Sequence, residues 1–290
     1  MSLNLFYNKL FVSVIIISVL FAKILEPESK SKYLEVIYKN NKPREYDEIT
    51  RNGLEYNIKG PAEVKIFSKA AFPKKTAKEL KYFNFNISIN GLSSESNNSK
   101  NIDRNTTSLS HPMHVYTYSA KDVIVLPGGD YKIKIQNQSV LGPPILVRLL
   151  RLGRKSKKIV KEEVDIVDNF ARFTLKSLNS TFSPSYYVLD NLNPLYFNDI
   201  EGLFELNLRG LHNRLTDSSK VIKTTLLKNG RKDTKYHILS IPHPSKILNE
   251  DNRIPGKLNK IYIDASQDNY FFHMEEFDSA LIVRLNRIVE

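Results

Sequence analysis

Strict alternation of apolar and polar residues from Tyr82 to Asn90 is the feature that most restricts what this chain can fold into. Successive side chains of a β-strand point to opposite faces, so this segment is predicted to be a strand with one buried and one hydrated face. The same reasoning predicts strands near Leu54–Ile58, Val64–Phe67, Val115–Ser119, Val123–Leu126, Tyr131–Ile135 and Ile145–Leu150. Long helices are hard to place here, so the sequence indicates a mainly β fold.

The second half of the chain repeats the pattern of the first. Ile145–Leu152 (ILVRLLRL) matches Leu281–Ile288 (LIVRLNRI) 136 residues later, and seven of the eight positions keep their chemical type. Four further pairs lie 138 to 142 residues apart: Tyr131 with Tyr270, Val123 with Ile261, Asn90 with Asn229, and Gly60 with Gly202. So constant a spacing indicates an internal duplication.

Length agrees with two modules, because 290 residues are long for one compact core and suit two domains of ordinary size. The predicted fold class is mainly β, with two tandem, duplicated β-sandwich modules after an N-terminal signal segment. Residues 1–22 are predicted to be the signal peptide or anchor, residues 23–155 the first module and residues 156–290 the second. Within the second module, Ile159–Leu175 fits either a short helix or the first strand.

The N-terminus has the pattern of a secretory signal. Lys9 precedes the thirteen uncharged, mostly apolar residues Leu10–Ala22, a run too short for an ordinary spanning helix. Cleavage after Ala22 is predicted, with an uncleaved anchor or a buried N-terminal strand or helix as alternatives. The chain contains no cysteine, which excludes disulfides and thiolate metal sites. We therefore expect an exported protein that is periplasmic, surface-bound or secreted.

A short segment carries the one resemblance to a known family. Leu126-Pro-Gly-Gly-Asp-Tyr-Lys-Ile-Lys-Ile135 resembles the proline, glycine and tyrosine hairpin of bacterial immunoglobulin-like or PEGA-like β-sandwich modules. The resemblance implies a tight turn at the two glycines, followed by a strand returning along a buried face. In the second module, Ala265–Asn269 replaces this turn.

Two Asn-Gly pairs predict turns. Asn229-Gly230 lies between alternating runs and predicts a tight hairpin, because both residues accept positive φ. Asn90-Gly91 is predicted to open a long, exposed and mobile loop, Leu92–Ser110, because that segment is rich in Ser, Asn and Thr. Its counterpart in the second module is Ser245–Gly256. Loops that differ between copies are where individual function is expected.

The region between the modules is strongly basic, in a chain whose formal net charge is +12. Seven cations and no acid lie between residues 148 and 161. The candidate residues for binding an anionic partner are Arg151, Arg154, Lys155, Lys157, Lys158 and Lys161. Such a cluster attracts acidic polysaccharide or anionic lipid in a salt-dependent way, although a solvated surface between modules explains it too. Export makes nucleic acid an improbable partner.

Catalytic and metal-binding patterns are sparse. No phosphate-binding loop or nucleophile elbow is present, and the acids are scattered singly, so no catalytic residue and no cofactor is predicted. His111 and His114 are the candidate metal ligands, since they lie three residues apart, but their spacing matches no standard zinc motif. Histidines at a loop or strand edge explain them equally well.

Three hypotheses about function follow. The first is a non-enzymatic structural or binding protein of the cell envelope or extracellular space that contacts anionic glycans, anionic lipids or another envelope protein. The second is a carbohydrate-active hydrolase whose acids come from separate loops of a β-sandwich. The third is self-assembly through exposed sheet edges.

Overall fold

The computed structural model describes residues 21–28, 34–76, 80–138, 142–153, 160–164, 172–177, 185–213, 218–243, 246–248, 253–276 and 279–289. All the regular elements in these ranges are strands, which confirms the mainly β prediction. Within the same ranges, no helix is long and apolar enough to cross a membrane. The predicted signal segment lies outside the described residues, except for its last two residues.

The strands of the first module are β1 (Phe21–Leu25), β2 (Leu34–Lys39), β3 (Lys42–Glu48), β4 (Leu54–Pro73), β5 (Lys81–Ile89), β6 (Leu92–Lys100), β7 (Ile102–Asp103), β8 (Thr106–Ser108), β9 (His114–Thr117), β10 (Ala120–Asn137) and β11 (Ile145–Gly153). Each predicted strand overlaps one of these, although Val115–Ser119 extends two residues past the end of β9. The alternating segment forms β5. Its apolar face is buried and consists of Phe83, Phe85, Ile87 and Ile89.

The strands of the second module are β12 (Val160–Val164), β13 (Arg172–Ser177), β14 (Ser185–Leu189), β15 (Leu195–Asn213), β16 (Lys220–Lys228), β17 (Arg231–Ser240), β18 (Lys246–Leu248), β19 (Arg253–Pro255), β20 (Asn259–Met274) and β21 (Leu281–Val289). The ambiguous Ile159–Leu175 segment contains β12 and the start of β13. The predicted boundary near residue 155 lies outside the described residues.

Two very long strands, β4 and β10, build the first sandwich. Each joins two of the predicted strands, and they pair antiparallel along most of their length, with a register shift between Leu126 and Gly129. This shift is a β-bulge, which bends the strand and increases its local twist. The turn predicted at Pro127-Gly128-Gly129 is therefore wrong, because these residues form a bulge within β10 and the chain does not reverse there.

Strand registers confirm the duplication. β4 pairs with β11 as β15 pairs with β21, and this equates Lys69 with Arg209. Both cations are buried, and each donates to a backbone carbonyl, Lys69 to Thr117 at 2.8 Å and Arg209 to Gly256 at 2.9 Å. The predicted match of Val123 with Ile261 is one residue out of register. Ile124, in the first core, is the counterpart of Ile263, in the second.

Both Asn-Gly pairs form tight hairpin turns with positive φ at both residues, at 49° and 88° for Asn90-Gly91 and at 48° and 72° for Asn229-Gly230. The prediction that Leu92–Ser110 is an exposed, mobile loop is wrong. Leu92–Lys100 is strand β6, paired with β5 along its whole length. Residues 94, 96 and 98 of β6 point inward and are buried, although all three are polar.

A continuous sheet joins the modules. β10 pairs in parallel with β17 from Asp122↔Lys235 to Val125↔Ile238. The cores interpenetrate at this junction, since Val123 and Val125 lie in the core of the second module. Conversely, Leu239 of β17 belongs to the core of the first module. Each module therefore completes the hydrophobic core of the other.

Candidate functional site

The basic region is only partly described. Arg151, in β11, donates from Nη2 to the backbone oxygen of Lys59 at 2.8 Å. Lys161, in β12, forms an ion pair of 2.6 Å with the buried carboxylate of Glu205. The remaining candidates for binding an anion lie outside the described residues, and their role stays a prediction: Arg154, Lys155, Lys157 and Lys158.

Glu205 is the partner that the sequence did not reveal for the basic region. It accepts a hydrogen bond from Tyr262 at 2.8 Å and lies 3.4 Å from Lys260 as well as near Lys161. Burial acts to raise the pKa of Glu205, but the bonds from Lys161 and Tyr262 and the charge of Lys260 hold it below its usual value. Part of the positive charge counted between the modules is thus neutralised by a carboxylate 44 residues away.

His111 and His114 lie together on one surface of the first module. Their rings stack with centroids 5.1 Å apart, and His111 Nδ1 lies 2.6 Å from the buried carboxylate of Glu35. Ser108 and Tyr116 also donate to Glu35. Within the described ranges, no group of three or more His, Cys, Asp or Glu side chains is arranged to hold a metal ion. The two histidines as metal ligands stay a prediction.

A polar seam joins the modules beside the β10–β17 pair. Its members are the buried polar side chains of β6, β10 and β17: Ser94, Ser96, Asn98, Asp122, Lys235 and His237. Ser94 Oγ lies 2.8 Å from His237 Nδ1, and Asp122 Oδ1 lies 3.1 Å from His237 Nε2. Ser96 donates to Asp122 at 2.8 Å, and Lys235 donates to Asn98 at 3.3 Å. Inward-facing polar residues of one module thus meet those of the other.

The seam contains a serine, a histidine and an aspartate in contact, the residue types of a hydrolytic triad. All three side chains are buried, and the hydrogen bonds among them run across the junction between the modules. Burial acts to raise the pKa of Asp122, but the hydrogen bond and charge of His237, with the charge of Lys235, hold that pKa below its usual value. The arrangement is suited to holding the modules together.

The outer face of the second module carries an aromatic strip, formed by Tyr196, Phe271 and His273. Tyr196 lies opposite Phe271 in the β15–β20 register, with ring centroids 4.7 Å apart. The Phe271 and His273 ring centroids are 5.3 Å apart along β20. Tyr196 is 46% exposed, and the other two rings are half-buried. The three rings form a row on the open face of the sheet.

The first module shows that the fold does not require this row. The matching registers, followed from the two Asn-Gly turns, equate the three positions with Glu55, Lys134 and Gln136. There Glu55 forms ion pairs with Lys132 and Lys134, at 2.7 Å and 3.7 Å. The same sheet face thus carries charged and polar side chains in one copy and aromatic side chains in the other, so the three rings are a feature of the second module alone.

Polar groups lie beside the His273 end of the strip. Glu275 accepts a hydrogen bond from Thr225, the register partner of His273, and lies 3.4 Å from Lys232. Glu276 lies 3.6 Å from Lys223. Burial opposes ionisation of Glu275, but the bond from Thr225 and the charge of Lys232 lower its pKa, so this end presents a charged carboxylate and ammonium groups.

Sequence reasoning missed the strip, although part of it was readable. Alternation along Tyr270-Phe-Phe-His-Met places Phe271 and His273 on one face and Tyr270, Phe272 and Met274 on the other. Tyr196 lies 75 residues earlier, and only the strand register brings it beside Phe271.

The fold and its surfaces define a mainly β protein of two duplicated sandwich modules that share a sheet. No family model matches the sequence, and no curated protein matches it.

Several solved structures show a distant likeness. The tandem CBM51 modules of Sp3GH98, the family 98 glycoside hydrolase from Streptococcus pneumoniae, match with a TM-score of 0.26 and 10% identity over 92% of each chain. The CBM22-1-CBM22-2 tandem domain of Xyn10C from Paenibacillus barcinonensis matches with a TM-score of 0.24 and 10% identity over 94% of this chain and 99% of that one. The ANX2 ectodomain from Arabidopsis thaliana matches with a TM-score of 0.23 and 8% identity over 92% and 94%.

Proposed function

We propose that this protein is an exported, non-enzymatic binding protein of the cell envelope or extracellular space, and that it holds a glycan on the aromatic strip. The observation that carries the proposal is the row of Tyr196, Phe271 and His273 on an open sheet face whose counterpart in the first module has no aromatic residue. The N-terminal apolar run supports export.

The chemistry of the strip suits a sugar chain. Aromatic rings offer flat, apolar faces with few rotatable bonds, so they contact the C–H faces of sugar rings at little entropic cost. The hydroxyl groups of a sugar need donors and acceptors at the edge of such a surface. Glu275, Lys232 and Lys223 provide these groups beside the His273 end of the row.

Affinity electrophoresis tests the proposal. The protein is run through gels that contain soluble glucan, xylan, mannan or polygalacturonate, at low salt and at high salt. We expect at least one polysaccharide to retard it, and Phe271→Ala to weaken that binding about tenfold or more, because a central aromatic contact carries much of the energy of such a surface. Lys134→Ala, at the equivalent position of the first module, is the control and should bind as the wild type does.

The salt dependence of binding distinguishes binding at the aromatic strip from binding at the basic region. Aromatic stacking persists when ionic strength rises, whereas attraction between exposed charges is screened. Retardation by an acidic polysaccharide that vanishes in salt and survives Phe271→Ala would assign binding to the cations and reject the strip. Retardation by none of the polysaccharides would reject the proposal as a whole.

A further inference from the structure

A five-residue loop of the first module, Leu109–Met113, exposes two large apolar side chains. Leu109 is 80% exposed and Met113 is 66% exposed. We call this segment, between β8 and β9, the apolar loop. Moving apolar side chains of this size out of water, into a membrane or an interface, is energetically favourable.

The apolar loop is held in place from beneath. The backbone N–H of His111 donates to Ser108 Oγ at 3.4 Å, and that of His114 donates to the backbone oxygen of His111 at 3.0 Å. The His111 ring contacts buried Glu35 at 2.6 Å. These bonds fix the conformation of the middle of the loop, and Leu109 and Met113 lie exposed at its two ends.

Exposed positive charge adjoins the apolar loop. The turn after β4 contains Lys74 and Lys75, both exposed. Lys74 donates its backbone N–H to the backbone oxygen of Met113 at 2.7 Å, which places the two segments side by side. Apolar tips and ammonium groups therefore occupy the same end of the first module.

We propose that this end of the first module docks on an anionic lipid bilayer, with Leu109 and Met113 entering the headgroup region and Lys74 and Lys75 facing lipid phosphates. A bilayer suits the arrangement because apolar insertion and attraction to acidic headgroups each give only weak binding, and stable attachment needs two such signals together. A protein interface of ordinary size needs a broad, apolar centre, and two tips on one narrow loop do not provide it.

A single fluorescent label tests the insertion directly. The chain has no cysteine, so Met113→Cys creates a unique site for an environment-sensitive dye. On vesicles of phosphatidylcholine with about a third phosphatidylglycerol, we expect the emission to shift to the blue and to intensify, as the dye leaves water. Leu192→Cys is the control, because Leu192 is 82% exposed in the second module, and its dye should keep its aqueous spectrum.

Co-sedimentation with the same vesicles supplies the binding measurement. Each variant keeps the N-terminal apolar run, so differences between variants report on the apolar loop. The double variant Leu109→Ser/Met113→Ser should reduce the bound fraction at least tenfold at equal net charge, and Leu192→Ser should not. Lys74→Ser/Lys75→Ser should weaken the binding and reduce its dependence on salt.

Two results would overturn the proposal. One is an unchanged spectrum at Met113 on anionic vesicles. The other is a Leu109→Ser/Met113→Ser variant that sediments like the wild type, because binding would then come from general positive charge or the N-terminal run. The glycan test uses the second module, so either proposal can fail while the other stands.

Discussion

The Asp122→Ala variant is expected to lose about 3–5 kcal/mol of the free energy of unfolding, because it removes one partner of a buried, hydrogen-bonded pair. His237 and Ser96 would each keep a buried donor without its acceptor, and Lys235 would lose the negative charge that stabilises its ammonium group most. Urea denaturation followed by far-UV circular dichroism measures the loss. Tyrosine fluorescence serves as a second probe, since the chain contains no tryptophan.

An exposed ion pair at the same junction gives the control. Asp233 lies 3.3 Å from Lys121, the residue before Asp122, and both side chains are substantially exposed. Asp233→Ala should cost about 1 kcal/mol or less, because exposed ion pairs contribute little. Equal losses in the two variants would contradict the structural role that we assign to the polar seam.

The seam should also make stability depend on pH in the acid range. The pKa of Asp122 is lower in the folded protein than in the unfolded chain, where it is about 4. Its stabilisation is therefore fully present above that unfolded pKa and is lost as the pH falls through the lower, folded pKa. The wild type should lose more stability than Asp122→Asn over this range, and parallel pH profiles would exclude the contribution.

The second large effect is expected from Phe272→Ala, with a loss of about 3–5 kcal/mol. Phe272 is fully buried in the core of the second module, with its ring edge-to-face to Tyr236 and the centroids 5.7 Å apart. The neighbouring residue gives a matched control. Phe271→Ala removes the same side chain from the outer face of the same strand and should cost about 1 kcal/mol or less.

Phe272→Ala should weaken the first module as well. Val123 and Val125 depend on the second core for burial, and Leu239 fills part of the first. We expect one calorimetric unfolding transition in the wild type and in the variant, with amide protection in β5 falling together with protection in β20. Two separate transitions, with β5 unaffected, would show that the modules unfold independently.

The sequence predicted five of the first module's eleven strands, β4, β5, β9, β10 and β11, from the recurrence of their apolar residues. It failed at β6, where Ser94, Ser96 and Asn98 face inward while Ser93, Glu95 and Asn97 face outward. Both faces are polar, so no hydrophobic period distinguishes this strand from a loop. The inward residues meet partners across the module junction, such as Ser94 with His237, 143 residues away.

The long strands β4 and β10 show a second limit of sequence reasoning. Pro127 and the glycines after it have the composition of a turn, and local propensity favours chain reversal there. Pairing with β4 on both sides of the bulge overrides this preference, because it continues the ladder of hydrogen bonds from Ala120 to Ile135.

The duplication could be predicted from the sequence because it preserves residue types at a nearly fixed spacing. The contact between the two copies could not, because it leaves no repeated pattern in the sequence.

The parallel pairing of β10 with β17 has a consequence for how this protein can evolve. An array of independent modules can gain or lose one copy at a time, since each copy keeps a complete core. Here, loss of either copy would expose Val123 and Val125 or open a gap at Leu239. After the duplication, the two halves became mutually dependent for folding. A gene rearrangement that separates them would therefore leave neither half with a complete core.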